Sequence, residues 1–198
     1  MRITRYTHAC VRLEHPAGGV LVIDPGVWTE PEAASGADAV LVTHWHPDHA
    51  DRERLASVEA TVSGPADTGP GGPVHPVAPG DQFEAAGFRV RVTGGSHATV
   101  YGGRPDLPNV GYIVDDGALY HPGDSFHPPH VDVAVLLVPV QGSWMRLADA
   151  LDFMGAVQPE RAFGIHDGQL NERGLDAVND WLGGMSAYRY LAPGESFG

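Results

Sequence analysis

The stretch 42–51, VTHWHPDHAD, places three histidines and two aspartates in the eight positions from His44 to Asp51, directly after the apolar run Ala39-Val40-Leu41-Val42. A short run with no polar position reads as a strand buried on both faces. The residues that follow are therefore held at the exit of a rigid element. In an extended segment residues i and i+2 point the same way, so His44 and His46 can reach one metal ion. A turn at Pro47 then sends Asp48 and His49 toward a second position. Trp45, between two inward histidines, points away and packs. Imidazole with carboxylate suits Zn²⁺, Mn²⁺ or Fe and does not suit Ca²⁺, which takes oxygen donors.

The same style of ending recurs along the chain. His97 follows the strand-like run FRVRVTGGS (88–96), Asp124 lies in HPGDS (121–125) after GALYH (117–121), and His166 ends RAFGI (161–165). Each is a strand exit, where a sheet can aim a loop side chain at a shared point. Further strands are expected at RITRY (2–6), CVRLEH (10–15), GVLVID (19–24), ATVS (60–63), GYIVD (111–115) and VDVAVLLVPV (131–140), with EHPAGG (14–19) as a hairpin turn. A short helix is expected from Asp51. Two longer ones are expected over 147–157, with Leu147, Leu151, Met154 and Val157 at helical spacing, and over 171–184, with Leu175, Val178 and Leu182, Asn171 as N-cap and Gly183 as stop. The Pro- and Gly-rich segment 64–80 reads as an internal loop. Both halves run several strands and then helix, which fits two β-rich halves packed face to face with helices outside, within one domain spanning 1–198.

Composition narrows the function. The 198 residues suffice for one good core, and 42% are hydrophobic. The formal charge of -13, from 25 acidic against 12 basic residues, disfavours nucleic acid and anionic lipid as partners, whereas bound cations would offset part of it. Cys10 is the single cysteine, so an internal disulfide and a thiolate-rich zinc site are both excluded; it reads as a small buried hydrophobe. The first ten residues lack the apolar segment of a signal peptide and no stretch approaches a membrane span, so a cytoplasmic location is expected.

THWHPDHAD (43–51) resembles the signature of the metallo-β-lactamase superfamily, and the likeness extends over most of the chain. MRITRYTHACVRLE and GVLVIDPG are similar to the opening strands of that fold in the branch that includes L-ascorbate-6-phosphate lactonase, and SHA, HPGDS and GIHDG stand in order where the family has its later ligand motifs. The resemblance implies an α+β protein, a four-layer αββα sandwich with a dinuclear site at one rim. His44, His46 and His97 would hold one divalent metal, Asp48, His49 and His166 the other, with Asp124 bridging. The metals would most naturally be zinc, with Mn or Fe as alternatives. A hydroxide between them would be the nucleophile, and Asp48, as catalytic residue, would orient it and pass a proton to the leaving group. No Cys ligand of the kind one β-lactamase class uses is present, and the length leaves no room for a nuclease or flavin domain.

Three further residues are candidates for supporting the ligands or contacting substrate. His8, in YTHAC, matches a histidine that recurs in this branch. Asp24, in VIDPG, could accept a bond from a ligand histidine or serve turn chemistry before Pro25. Trp144, with Met145 after a strand exit, could line an apolar pocket. Arg104 could pair with an anionic substrate or be a solvated surface residue. His121, His127, His130 and Ser125 flank Asp124 and could form a rim. The function expected is hydrolysis of a small ester, lactone, thioester or phosphoester by a metal-dependent enzyme that could form homo-oligomers. The alternatives are a phosphodiesterase or nuclease of the same superfamily and a non-catalytic metal-binding regulatory protein.

Overall fold

The computed structural model describes residues 1–66, 74–102 and 107–198. Arg104 lies outside them. The first half contributes β1 (Arg2–Arg5), β2 (Val11–Glu14), β3 (Val20–Ile23), β4 (Ala39–Leu41), helix α1 (Arg52–Ser57), β5 (Thr61–Pro65) and β6 (Val74–Val77). The second contributes β7 (Gln82–Ala85), β8 (Phe88–Gly94), β9 (Val110–Val114), β10 (Leu119–His121), β11 (Val135–Pro139), helix α2 (Leu147–Val157), β12 (Arg161–Ile165), helix α3 (Glu172–Leu182) and β13 (Tyr188–Arg189). A last short strand, β14 (Ser196–Phe197), returns to pair with β1. Among the described residues these strands form two sheets, in the orders β14-β1-β2-β3-β4-β5-β6 and β13-β12-β11-β10-β9-β8-β7.

Alternation along the strands decides the layering. Leu13, Leu21, Ile23 and Leu41 of the first sheet meet Phe88, Val92, Tyr112, Leu137 and Phe163 of the second in the central core. The opposite face of the first sheet, through Val22, Val40 and Val62, packs against Leu55 of α1. The opposite face of the second, through Ile113, Leu136 and Val138, packs against Ala150, Phe153 and Met154 of α2 and Leu182 of α3. The result is the expected helix–sheet–sheet–helix sandwich. It also explains why β4 and β11 are wholly apolar: both of their faces are buried.

Local chemistry sets the helix ends as the sequence suggests. The Asp51 side chain accepts from the Glu53 and Arg54 N–H groups, and that of Asn171 from Gly174 N–H. Two expectations need correcting. Segment 64–80 is not all loop: Gly64 and Pro65 close β5, and 74–77 form β6. Proline 76 is tolerated because β6 is an outer strand with a free side. In α2 the buried face is centred on Ala150, Phe153 and Met154, while Leu147, Leu151 and Val157 lie at its margin. Among the described residues no helix is long and apolar enough to cross a membrane.

Candidate metal centre

Strand direction brings the chemistry together. β1 and β3 both run antiparallel to β2, and β4 is parallel to β3. In the second sheet β8 and β10 both run antiparallel to β9, while β11 and β12 are parallel to β10. His8 follows β1, Asp24 follows β3, and residues 44–49 follow β4; His97, Asp124 and His166 follow β8, β10 and β12. Within each sheet every one of these residues thus leaves the carboxyl end of a strand running the same way. The two sets meet at one rim.

There the donors form two groups. In each, one ligand atom per residue lies within 4.8 Å of the others: His44, His46, His97 and Asp124 in one, His8, Asp48, His49 and His166 in the second. Asp124 reaches into both. Its Oδ2 lies 3.2 Å from His97 Nε2 and 3.0 Å from His166 Nε2, and its Oδ1 lies 3.0 Å from His49 Nε2. Yet His49 Nε2, His166 Nε2 and Asp124 Oδ1 are buried and form no hydrogen bond. Buried polar atoms are almost always satisfied, so lone pairs that converge in this way mark a place for a cation.

The hydrogen-bond partners fix which ring nitrogens carry protons. Asp24 accepts Thr43 N–H at 2.7 Å through Oδ1, and through Oδ2 both Thr43 O–H at 2.6 Å and His49 Nδ1–H at 2.8 Å. Thr43 has then spent its one proton, so its oxygen accepts from His44 Nδ1, 3.1 Å away. His97 Nδ1 donates to the Ala98 carbonyl at 2.7 Å. His44, His49 and His97 therefore engage Nδ1–H in these bonds and turn Nε2 toward the centre. His8 differs. Its Nδ1 accepts Gly168 N–H at 3.1 Å, so its proton sits on Nε2 and is donated to Asp48 Oδ2 at 3.2 Å. With both nitrogens in use, His8 orients Asp48 and is poorly suited to bind metal itself. His121 is likewise complete, donating to the Ala9 carbonyl and accepting from Gly123 N–H; it braces the rim and offers no free lone pair.

The electrostatics divide the ligand histidines, with His44 and His46 lowered and His49 and His97, against burial, raised by the carboxylates beside them. Burial pushes the pKa of His44 and His46 below the usual imidazole range, which keeps their lone pairs available. Burial opposes the charge on Asp124, but His49, His166 and His97 around it hold its carboxyl well below the usual range. For His49 burial is overcome by Asp124 and Asp24, which raise its pKa; a metal ion would compete with that proton for Nε2.

A family model described as the beta-lactamase superfamily domain matches residues 2–166. Protein Rv0786c of Mycobacterium tuberculosis is 35% identical over 178 residues, covering 84% of each chain. The chain belongs to the metallo-β-lactamase superfamily. A second relative, the UPF0173 metal-dependent hydrolase of Thermoplasma acidophilum, is 25% identical over 192 residues, with 84% of this chain and 83% of that protein covered. Among solved structures, the isothiocyanate hydrolase from Delia radicum gut bacteria superposes with a TM-score of 0.74 at 16% identity, covering 100% of this chain and 99% of that one, a likeness of fold.

Holding a superfamily site in place uses residues that sequence reasoning passed over. The loop after β3 clasps the histidine loop: Val27 N–H bonds to the Pro47 carbonyl at 2.9 Å, Asp51 N–H to the Pro25 carbonyl at 3.2 Å, and a Cβ on Gly26 would overlap the Asp48 carbonyl. Asn109 accepts Asp124 N–H at 3.0 Å, and Gly123, with φ of 62°, leaves no room for a side chain beside Asn109 and Thr43. Arg5 is fully buried. It donates to the carbonyls of Gly164 and Leu191, each at 3.0 Å, and pairs with Asp167, next to His166. A buried arginine so close to a strand exit was a usable signal. So was Thr43, which stands inside the motif. Trp45, as expected, turns outward and donates to the Pro65 carbonyl at 3.0 Å.

Proposed function

We propose that this chain is a metal-dependent hydrolase that holds two divalent cations, His44, His46 and His97 binding one, Asp48, His49 and His166 the other, and Asp124 both. The observation that carries the reading is the Asp124 carboxylate, whose two oxygens face nitrogen donors of both groups while three of the converging atoms have no hydrogen-bond partner. Nitrogen and carboxylate donors without thiolate favour zinc, with manganese or iron as alternatives. When bound, the cations would polarise a substrate oxygen and lower the pKa of a water so that it attacks at neutral pH.

The chain's own residues supply the rest. Asp48 is the carboxylate left partly open to solvent at this site, and burial is outweighed there by the hydrogen bond from His8, which keeps its carboxyl below the usual range. Asp48 therefore stays ionised and can accept a hydrogen bond from the attacking water and align it, with His8 fixing its orientation. Trp144 stands edge-on over His97 and His166, at ring separations of 5.6 and 5.5 Å, and limits water access from that side. The substrate is a small ester, lactone, thioester or phosphoester, and no nucleic acid or membrane partner is expected for a chain of charge -13.

Elemental analysis of the purified protein tests the proposal. About two metal ions per chain are expected, with loss in both His44→Ala and Asp124→Ala. Trace metal only, with no uptake of added Zn²⁺ or Mn²⁺, overturns it.

A further inference from the structure

The mouth of the site is lined by aromatic rings, of which Trp28 is exposed and Trp144 half-buried. Trp28, on the loop after Asp24, keeps 42% of its surface in solvent and meets the His8 ring edge-on at 4.8 Å and 84°. Its neighbour Val27 is 47% exposed. From the other half of the molecule Trp144, on the loop after β11, meets His97 at 74° and His166 at 78°, and Phe126 backs it at 5.4 Å. His8 and His166 are 4.0 Å apart, so the rings run in one chain, Trp28, His8, His166, Trp144, across the metal site. An exposed apolar patch continuous with a polar cluster is the usual make-up of a ligand site, with the polar atoms placing the reacting group and the rings holding the remainder.

Charge points the same way. The sequence contains no lysine, so its permanently charged cationic side chains are arginines. Arg5 and Arg54, whose guanidinium groups lie against the loops that carry the site, are already committed. Arg5 serves Gly164, Leu191 and Asp167, and Arg54 donates to the Thr29 and Glu30 carbonyls at 2.6 and 2.8 Å. Neither is available to a phosphate or a carboxylate, and among the described residues Arg146, two positions after Trp144, is paired with Asp149 of α2.

We propose that the substrate is a neutral carbonyl ester, lactone or thioester bearing an aromatic or alkyl group, and that Trp28 and Trp144 grip that group beside the scissile bond. The inference rests on the hydrolase reading above and selects among its substrates. In the reaction a new C–O bond forms from water to the acyl carbon. The acyl–oxygen or acyl–sulfur bond breaks, its electron pair leaves with the alcohol or thiol, and that group takes up the proton released by the water.

The test uses the metal-loaded protein, Trp28→Ala and Trp144→Ala. Rates are measured on p-nitrophenyl acetate, butyrate and hexanoate and on bis-p-nitrophenyl phosphate, and binding of 1-naphthol, a neutral aromatic probe, is followed by fluorescence with metal content checked in parallel. Expected are a rise in kcat/KM of roughly threefold per added methylene, a fall of about tenfold in the cumulative gain from acetate to hexanoate in either variant with metal retained, and naphthol binding that weakens likewise. A preference for the phosphodiester, or acyl esters turned over with no dependence on chain length or on either tryptophan, overturns the inference and leaves the hydrolase intact. A Trp28→Ala change that dissociates an oligomer without altering selectivity also overturns it, since the patch would then be a contact between copies. If no ester is turned over, naphthol binding decides: binding lost in the variants supports the apolar pocket, absence of binding in the parent refutes it, and metal content separately judges the hydrolase reading.

Discussion

Replacing Asp24 by Asn should separate a ligand-orienting carboxylate from a turn residue. Asp24 is fully buried, and its two oxygens accept three hydrogen bonds, at 2.7, 2.6 and 2.8 Å, from Thr43 N–H, Thr43 O–H and His49 Nδ1–H. An asparagine has the same shape but only one acceptor. With its NH₂ toward Thr43 N–H, two donors face each other and one bond is lost. With its NH₂ toward the other side, His49 must move its proton to Nε2, the atom that should bind metal. The first arrangement costs about 2–4 kcal/mol for an unmatched buried donor to a charged acceptor, or a fall in Tm of roughly 5–15 °C for a chain of this size. The second should weaken metal binding on the order of 10–100-fold. Competition titration of zinc against a chromophoric chelator, paired with thermal unfolding, reads both. Thr43→Val makes the comparison sharper, because it strips the partner of His44 Nδ1 and leaves the His49–Asp24 bond; its loss should fall on the cation of the His44 group alone. Two tight sites in Asp24→Asn, titrating within about twofold of the parent at an unchanged Tm, would refute the reasoning.

Other outcomes follow from the same contacts. His8→Ala should keep the bound metal but lose activity by roughly tenfold or more, because Asp48 loses the donor that aligns it; loss of one metal ion instead would make His8 a ligand. Arg5→Met removes one partner of a buried pair and should cost about 3–5 kcal/mol, read as a lower denaturation midpoint, whereas an unchanged midpoint would show that Asp167 and the Gly164 carbonyl are satisfied without it. Gly26→Ala should dislodge the Asp48 backbone and reduce metal content while the far-UV spectrum stays native. Cys10 is buried, and burial first of all pushes its thiol pKa up, so a thiol reagent should label it only after unfolding; rapid labelling of the native protein would contradict that placement.

The parts of the fold that were legible in the sequence are those where both faces of an element say the same thing. AVL and VLLVP are apolar throughout, and the structure buries them on both sides. The cluster at 44–49 could be located because its spacing is local: i and i+2 lie on one side of an extended chain whatever the rest of the fold does. Position 64–80 misled because glycine and proline signal irregular backbone, while an outer strand tolerates a proline whose missing N–H faces no partner. Arg5, Thr43 and Trp28 stayed hidden for a different reason. Their positions could have singled out Arg5 and Thr43, but the partners they serve, Gly164 for Arg5, Asp24 for Thr43 and His8 for Trp28, are set by the fold and not by the identity of the side chain.

Three of the residues that carry the chemistry at the rim sit in left-handed backbone, as do five non-glycine residues elsewhere among those described. His8, Asp24 and His166 adopt φ of 70°, 53° and 62°, a left-handed region uncommon for residues other than glycine, though Asn, Asp and His enter it more readily than the rest. Each of the three is held by neighbours from elsewhere in the chain. His166 N–H bonds to the His8 carbonyl at 2.9 Å across the two sheets, Asp24 N–H bonds to the Leu41 carbonyl at 2.9 Å, and Gly168 N–H fixes the His8 ring. Strain of about 1–3 kcal/mol per residue persists only where surrounding contacts over-determine it. Neither sheet can assemble either donor group alone: His44 and His46 come from the first and His97 and Asp124 from the second, while Asp48 and His49 come from the first and His166 from the second. Packing of the two sheets through the central core therefore sets the donor geometry before any cation arrives, and a cation that binds would tie the sheets together at the edge where the apolar core ends.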